Sequence, residues 1–285
     1  MNLRQVRKKT KSIRNVKKIT KAMQLVSAIK MRKSQAAEVE RRPYLDTLTG
    51  VIRKILPNVD VQMSALLNEK LAQGNRDLII FISSNKGLSG SFHVNLYRFI
   101  LKSDIDMSKT DFIIVGSKGA TFINRMGGKV LADFSSGKFI NESSAIFSLA
   151  LEKFIAGEYK SVSLIYNKYI SAFRSEPMQE KIMPLKWSKT AEKENVTSSR
   201  YMIEPSEEEI VDPLIRSYIE EKIRGAIISS EAVEHASRMM AMKNATDNAT
   251  DIIYNLTMIG NKLRQEKITN ELLDMVTAKE SVEAV

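Results

Sequence analysis

The sequence predicts an α/β fold in which long helices at both ends of the chain flank a central domain of alternating strands and helices. Two observations carry this prediction: apolar residues recur at helical spacing in the terminal segments, and short β-branched runs lie between turns in the middle. The 285 residues, 43% of them hydrophobic, suffice for one large domain or two small ones. We therefore divide the chain into an N-terminal helix over 1–56, a globular α/β domain over 77–206 and a C-terminal helix over 207–285.

The N-terminal segment has the pattern of one long amphipathic helix. Its apolar residues recur at spacings of three and four, which places them on one stripe: Ile13, Val16, Ile19, Met23 and Val26. Pro43 has no backbone N–H and crowds the preceding turn, so we expect it to bend or interrupt the helix.

The positive charge of the chain is concentrated in this same segment. Between Met1 and Lys33 lie twelve Lys or Arg residues and no Asp or Glu, whereas the whole chain has a formal net charge of +11. Such a segment predicts an acidic partner, which could be nucleic acid, anionic lipid or an acidic protein surface; a solvated helix face is the alternative. The basic stretch has no helix-turn-helix, zinc finger or aromatic stacking platform beside it, which disfavours nucleic acid.

The middle of the chain has the pattern of a Rossmann-like βαβ domain. Three short apolar runs, Leu78–Ser83, Phe112–Gly116 and Val162–Asn167, predict strands. Segments of helical character, Phe92–Lys102 and Ser143–Ala156, lie between them. Strands that alternate with helices indicate a largely parallel sheet.

The C-terminal segment carries a sustained heptad pattern. Its seam alternates by four and three residues: Ile228, Ala232, His235, Met239, Met242, Thr246, Ala249, Ile253, Leu256, Gly260 and Leu263. We expect it to form a long antiparallel two-helix coiled coil with the N-terminal helix and to project from the central domain. Many seam residues are small or flexible, which lets two backbones approach closely. A Met- and Ala-lined helix buried in an ordinary globule is the alternative.

No motif for catalysis or cofactor binding emerges. The turn Ser83–Phe92 has glycines spaced G-x-x-G rather than G-x-G-x-x-G, so a tight turn explains it better than a dinucleotide site. Lys129 and Lys138 follow glycines but precede Val and Phe, so neither belongs to a phosphate-binding loop. His93 and His235 stand alone, and cysteine is absent. We expect no catalytic residue, metal or cofactor.

The chain also lacks the features of a membrane-inserted or secreted protein. Its sequence contains no apolar run of 18 or more residues and no apolar signal core near the start. We expect a soluble protein that reaches a membrane only through a partner.

Several motifs resemble those of gamma subunits of bacterial rotary (F-type) ATP synthases. The terminal signatures are ITKAMQLVSAIKMRKSQ (Ile19–Gln35) and HASRMMAMKNATDNATDII (His235–Ile253), and KLRQEKITNELLDMV (Lys262–Val276) continues the second. The glycine turn Asn85–Phe92 and GSKGATF (Gly116–Phe122) are similar to the central domain of that family. The likeness covers essentially the whole chain, in order.

The resemblance implies a non-catalytic central-stalk subunit. Its coiled coil would lie inside a hexamer of alternating alpha and beta subunits, and its globular part would rest on the ring of c subunits beside the epsilon subunit. Ion flow would turn the ring, and the shaft would drive each catalytic beta subunit through its states. The chain would be peripheral, on the cytoplasmic face of the bacterial plasma membrane.

The resemblance also assigns contact residues. Arg264, Gln265 and Thr269 match the family's contact with the catch loop of beta. Met23, Lys30 and Arg32 fall in the shaft segment that faces the acidic lever of beta, and Tyr201 and Glu204 match positions that touch the c ring. The glycine turn departs from the family's GLCGG by having Ser89 and Ser91, so a thiol is dispensable there. The cysteine-bearing regulatory insert of chloroplast versions is missing, which argues against redox switching.

Overall fold

The described part of the chain contains five α-helices and five strands. A computed structural model describes residues 2–56, 66–67, 74–185 and 206–283. A short 3-10 helix, Phe139–Glu142, precedes the fourth α-helix. The elements, in chain order, are α1 (Leu3–Ile55), β1 (Arg76–Ile82), α2 (Phe92–Lys102), β2 (Thr110–Val115), α3 (Ser117–Arg125), β3 (Lys129–Asp133), α4 (Ser143–Ile155), β4 (Tyr159–Tyr169), β5 (Ser175–Met183) and α5 (Glu207–Glu283).

The chain divides into two compact units. The helical unit comprises residues 1–28 and 238–285, and the sheet unit comprises residues 29–237. Helices α1 and α5 each contribute residues to both units, so these units do not follow the three segments proposed from the sequence.

The sheet unit is built on a mixed five-stranded sheet in the order β3-β2-β1-β4-β5. All neighbouring strands are parallel except β4 and β5, which form an antiparallel hairpin. In β1, Leu78 and Ile80 pack into the core that includes α1 and α5, whereas Ile79 and Phe81 pack against α2 on the other face. A strand buried on both faces needs a continuous apolar run. The three strands predicted from such runs are therefore confirmed.

The sequence did not predict the two edge strands. β3 is half-buried to exposed, so it has little apolar signal. β5 contains Pro177, which cannot donate a ladder hydrogen bond and is tolerated at an edge. Because only one side of an edge strand is paired, its sequence is less constrained than that of β1 or β2.

Helix α1 does not end at Pro43, although the sequence suggested a bend or an interruption there. Beyond Pro43, α1 buries Leu48, Ile52 and Ile55 in the core of the sheet unit. A proline inside a helix costs roughly 3 kcal/mol. Burial of three such side chains contributes roughly 1.5–3 kcal/mol each and outweighs this cost.

Candidate partner-binding surfaces

In the helical unit, the two terminal segments pair in antiparallel fashion. The hydroxyl of Thr246 lies 2.8 Å from that of Thr20, and both side chains are buried. A Cβ at Gly260 would lie 3.5 Å from a methyl carbon of Val6. Later residues of α5 thus face earlier residues of α1, which confirms the predicted antiparallel coiled coil.

The seam predicted for α5 is confirmed within this unit. Each of the predicted seam residues in this unit is buried or half-buried: Met239, Met242, Thr246, Ala249, Ile253, Leu256, Gly260 and Leu263. Between them lie exposed residues such as Asp247 and Asn248. The seam consists largely of small or flexible residues, as the sequence indicated.

The stripe predicted for α1 is wrong for three of its residues. Val16, Ile19 and Val26 are 45%, 60% and 53% exposed. The seam instead buries Thr20 and Ser27, whose hydroxyls donate to the carbonyls of Lys17 and Met23 in their own helix. Small side chains whose hydroxyls already have hydrogen-bond acceptors in their own helix permit close helix packing. The size of the side chains rather than their hydrophobicity therefore decides which face of α1 is buried here.

As a result, α1 presents an apolar surface outwards from the helical unit. Val16, Ile19 and Val26 share a face, and Leu25, on a different face of the helix, is 55% exposed. The cations Arg14, Lys18 and Lys21 on the same helix are exposed as well. Exposed apolar residues among polar ones mark protein-binding surfaces. Helix α1 thus exposes apolar residues on one side and cations on the other, which fits partners that surround the helix and offer both apolar contacts and carboxylates.

The last turns of α5 expose their side chains. From Arg264 to Lys279 every side chain is exposed. The large apolar ones are Ile268, Leu272, Leu273, Met275 and Val276. Gln265 and Thr269 lie one turn apart, and the Thr269 hydroxyl donates to the Gln265 carbonyl at 3.0 Å. The three residues matched to the catch-loop contact are thus accessible on neighbouring turns.

The shaft residues proposed from the resemblance fall in different units. Met23 is half-buried in the helical unit, whereas Lys30 and Arg32 are exposed in the sheet unit. Burial and the nearby Glu234 raise the pKa of Glu231, and the charge of Lys30 opposes that rise. Lys30 is therefore already engaged electrostatically by its own chain. Tyr201 and Glu204 lie outside the described residues.

The glycine turn after β1 packs against α3. Side chains of the turn accept hydrogen bonds from backbone N–H groups in the first turn of that helix. The Ser83 hydroxyl accepts a hydrogen bond from Gly119 N at 2.9 Å, and Asn85 Oδ1 accepts one from Ser117 N at 2.8 Å. A Cβ at Gly119 would lie 2.5 Å from the Ser83 hydroxyl, so glycine is needed for this close approach. These two donors at the start of α3 are therefore unavailable to a phosphate.

The structure also places His93 between two serines, which the sequence analysis did not foresee. Its ring nitrogens lie 2.9 Å from the Ser84 hydroxyl and 3.2 Å from the Ser89 hydroxyl. In a Ser–His catalytic pair the second ring nitrogen is usually oriented by a carboxylate or amide. Here a second serine takes that position, so the histidine joins the two ends of the turn.

A buried ionic cluster in the sheet unit ties α1 to α5. Arg41 lies 2.8 Å from a carboxylate oxygen of Glu38 and 3.2 Å from one of Glu221. Burial lowers the pKa of Arg41, but the two carboxylates outweigh that effect and raise it overall. A Cβ at Gly225 would lie 2.5–2.9 Å from the guanidinium atoms, so this glycine leaves room for Arg41. In the sequence, Gly225 was visible only as an interruption of good helix-forming composition.

The β4–β5 hairpin ends in an ordered and strongly exposed turn. The Ser171 hydroxyl accepts hydrogen bonds from the backbone N–H groups of Phe173 and Arg174, at 3.3 and 3.1 Å. Phe173 is 82% exposed, and Ile170 is 45% exposed. The turn therefore presents an aromatic ring to solvent from a defined backbone. No pattern in the sequence indicated this.

The described residues contain neither a membrane-spanning helix nor a candidate metal centre. None of their helices is long and apolar enough to cross a membrane. In residues 2–56, 66–67, 74–185 and 206–283, no three His, Asp or Glu side chains are grouped so that they could hold a metal ion.

Comparisons with known proteins place these surfaces in context. A family model described as ATP synthase matches residues 2–282. The ATP synthase gamma chain of Psychrobacter arcticus is 33% identical over 287 residues, covering 96% of this chain and 97% of that protein. The ATP synthase gamma chain of Clostridium perfringens strain SM101 is 33% identical over 283 residues, covering 98% of each.

Solved structures show the same fold. A chain from the OSCP/F1/c-ring structure of the Euglena gracilis mitochondrial ATP synthase superposes with a TM-score of 0.70 at 19% identity, covering 99% of this chain and 95% of that one. A chain from the central stalk/c-ring structure of the Tetrahymena thermophila mitochondrial ATP synthase gives a TM-score of 0.58 at 22% identity, covering 80% and 99%. At these identities the likeness concerns the fold alone.

Proposed function

Because the chain belongs to the family of ATP synthase gamma chains, we propose that its two units serve different parts of a rotary ATP synthase. The chain is the central-stalk subunit and is not itself catalytic. Catalysis belongs to the beta subunits of the complex. We assign the helical unit to the shaft, and the sheet unit to the globular part of the stalk together with the shaft residues Lys30 and Arg32.

The observation that carries this proposal is the outward-facing apolar and cationic surface of the helical unit. Val16, Ile19 and Val26 are exposed while hydroxyl residues fill the seam. A self-sufficient coiled coil would bury these apolar residues. Their exposure is expected if alpha and beta subunits surround the shaft and cover them.

We propose that the contact residues have the roles that the resemblance assigns to them. Exposed Arg264, Gln265 and Thr269 are accessible to the catch loop of beta. Met23, Lys30 and Arg32 address its acidic lever. Long-range attraction between cations and carboxylates depends less on position than interlocking side chains do, so it permits the shaft to turn past three beta subunits.

The base of the stalk is proposed to contact the c ring and the epsilon subunit. The assignment of Tyr201 and Glu204 to the c-ring contact rests on the resemblance alone. The chain is a peripheral part of a membrane-bound complex, and we place it on the cytoplasmic face of the bacterial plasma membrane. Ion-driven rotation of the ring would turn the shaft and drive each beta site through open and closed states.

Co-expression with alpha and beta subunits tests this function directly. We expect the chain to elute with them in one large complex during gel filtration and to support multisite ATPase turnover. If the chain elutes alone and instead shifts labelled duplex DNA with a steep salt dependence, the nucleic-acid alternative is favoured and the stalk function is wrong.

Charge reversal tests the electrostatic role of the shaft segment. We choose R32E/K33E and leave Lys30 unchanged, because a carboxylate at position 30 would act on Glu231, whose pKa burial and Glu234 already raise, and so disturb the chain itself. We expect a lower ratio of ATP synthesis to ion flow in the assembled complex, since two attractions become repulsions. The matched control reverses two exposed cations of the sheet unit elsewhere, K102E/K118E, and should couple normally. Equal coupling in both variants would contradict the electrostatic role.

A further inference from the structure

A groove on one side of the helical unit has walls of basic and polar side chains. It lies between the start of α1 and the later turns of α5, and its volume of about 490 Å³ falls in the range of small-ligand sites. All of its lining residues belong to the helical unit. We call it the cationic groove and define its two walls by six residues: Arg7, Lys11 and Arg14 of α1, and Thr257, Asn261 and Arg264 of α5.

The packing of the two helices holds these walls apart. On each helix the three wall residues follow one another at spacings of four and three, so they form one row along it. The seam sets the floor between the rows: Val6 and Leu256 are 2% and 6% exposed, and Gly260 adds no side chain there. Two rows of side chains therefore border a shallow apolar floor.

The cations of the groove have no carboxylate beside them to neutralise their charge. Among the described residues, no Asp or Glu lines the groove or forms an ion pair with any of its four cations. All four are exposed. Like charges three and four residues apart on a helix repel each other and destabilise it, as in the row from Arg7 to Arg14. A bound polyanion would relieve this repulsion, whereas a neutral ligand would not.

The groups that face a ligand in this groove are chiefly hydrogen-bond donors. Guanidinium and ammonium groups donate and do not accept, and the arginine fork matches the oxygens of a phosphate. The hydroxyls of Thr10 and Thr257 donate to the carbonyls of Val6 and Ile253 in their own helices, at 2.9 and 2.7 Å. Recognition thus falls to the cations, and it requires an anion with many acceptor oxygens.

The length of the α1 row favours a chain of linked phosphates over a single phosphate. At about 1.5 Å per residue, Arg7 and Arg14 lie roughly 10 Å apart along the helix. A single phosphate is too small to contact cations at both ends of this row. A chain of three phosphates can follow the groove and contact each cation in turn.

The same lining disfavours two larger kinds of anion. None of the described residues that line the groove is aromatic, so the bases of a nucleic acid would find no stacking surface. An acidic peptide would find little apolar surface, because Val6 and Leu256 are buried. It would also find no backbone partners, because both walls are helices whose backbone groups are already paired.

We propose that the cationic groove binds linear polyphosphate, a chain of three or more linked phosphates that is either free or part of a nucleotide. Arg7, Lys11 and Arg14 contact successive phosphates from α1, and Asn261 and Arg264 contact them from α5. The site is complete within this chain and does not depend on the proposed stalk function. Bound polyphosphate also occupies Arg264, which is one of the proposed contacts with the catch loop of beta.

Isothermal titration calorimetry of the full chain with inorganic tripolyphosphate tests the proposal. A salt concentration of about 0.15 M screens weak attraction to the rest of the basic surface. The variant R7Q/K11Q removes two cations of the groove. Its matched control, R4Q/K8Q, removes one Arg and one Lys at the same spacing from exposed positions outside the groove. Circular dichroism verifies that the variants keep their helices.

A second pair of variants tests the α5 wall without removing a cation. Asn261→Asp places a carboxylate in the groove, whereas Asn255→Asp places one at an exposed position outside it. We expect Asn261→Asp to raise the Kd for tripolyphosphate at least about tenfold, because like charges meet in the groove. Asn255→Asp should leave the Kd within about twofold, because exposed charges at a distance are largely screened.

We expect the parent chain to bind one tripolyphosphate, and to bind it at least about tenfold more tightly than orthophosphate, because more charge-assisted hydrogen bonds form. R7Q/K11Q should raise the Kd at least about tenfold, and R4Q/K8Q by less than about threefold. A nucleoside triphosphate titrated in parallel distinguishes the two sources of the phosphate chain. An equal Kd supports the groove as a site for free polyphosphate, and a lower Kd supports it as a site for a nucleotide.

Three results would overturn the proposal. An equal loss of affinity in R7Q/K11Q and R4Q/K8Q would show that the attraction is spread over the basic surface. Orthophosphate that binds as tightly as tripolyphosphate would show that the chain of phosphates is not recognised. A hexaglutamate peptide that binds more tightly than tripolyphosphate would favour an acidic protein segment instead. None of these results bears on assembly with alpha and beta, so the stalk function stands or falls separately.

Discussion

At the scale of single residues, Asp111 links the stability of the sheet to pH. It lies at the start of β2, is 1% exposed, accepts a hydrogen bond from the Tyr159 hydroxyl at 2.8 Å and pairs with Arg76. Burial alone would raise its pKa, but the bonds from Arg76 and Tyr159 outweigh burial and lower it. A carboxyl whose folded pKa is depressed adds stability above its ordinary pKa of about 3.9, and that stability is lost as pH falls further.

We therefore expect Asp111→Asn to destabilise the chain at pH 7 and to flatten the acid limb of its stability curve. The variant has no carboxylate at position 111, so acid has no ion pair to break there. Free energies of unfolding from urea titrations between about pH 7 and pH 2 would show this. Asp104→Asn, at an exposed position, is the control. If the free energy of unfolding falls equally steeply with decreasing pH in Asp111→Asn and in the parent chain, the ion pair contributes nothing to stability.

Arg41 offers a second test at this scale. Glu221 has a side chain that is only 8% exposed, and Arg41 is its nearest cation. Arg41→Leu should destabilise the sheet unit by about 3 kcal/mol, because the buried carboxylate of Glu221 loses its nearer cation and keeps only Arg224, at 3.9 Å. The double variant R41L/E221L should recover much of this loss, and the exposed neighbour substitution Arg42→Leu should have little effect. If the double variant is as unstable as the single one, lost packing rather than lost pairing is responsible.

At the scale of elements, the seam of the helical unit depends on small side chains. Ala249 is 4% exposed, and its neighbour Thr250 is exposed. Ala249→Leu should separate the two helices and cost about 1–3 kcal/mol through overpacking. Thr250→Leu adds a leucine one residue away, outside the seam, and should be nearly neutral. The midpoints of thermal unfolding, followed by circular dichroism, compare the two variants. Equal midpoints would show that the seam accommodates a leucine at position 249 without loss of stability.

The same elements show how far the sequence can predict the fold. The heptad pattern of α5 and the buried runs of β1, β2 and β4 were correctly predicted, because burial on a fixed period leaves a strong signature. Helix α1 misled the prediction because several of its most apolar residues, among them Val16 and Ile19, are exposed. A pattern in one sequence shows which residues avoid water, but not whether the chain itself or another subunit covers them.

The candidate site was predictable in part for a related reason. The charge asymmetry follows from composition, whereas the contact residues in the last turns of α5 were assigned by resemblance alone. The hairpin turn and the Arg41 cluster depend on long-range packing between α1, β4 and α5. No local pattern encodes such packing, so Phe173 and Gly225 drew no functional prediction.

At the scale of the whole molecule, the last turns of α5 are expected to be dispensable for folding. Residues 264–285 contribute only exposed side chains where these are described. Their removal should change the free energy of unfolding by no more than about 0.5 kcal/mol, as is usual for exposed positions. Association with the alpha and beta hexamer should weaken, because the truncation removes Arg264, Gln265 and Thr269, the proposed contacts with the catch loop of beta. Urea unfolding and a binding titration measure the two effects. A truncated chain that unfolds at lower urea would show that the tail has an undetected intramolecular partner.

Tyr169 has a mechanical consequence for the whole protein. Its hydroxyl accepts from Gln35 of α1, and its backbone N–H donates to the Ser229 hydroxyl of α5 at 2.8 Å. One residue at the end of a strand is thereby fastened to both terminal helices. These two hydrogen bonds oppose rotation of the sheet about either helix alone, so that torque applied to the sheet is shared between both helices.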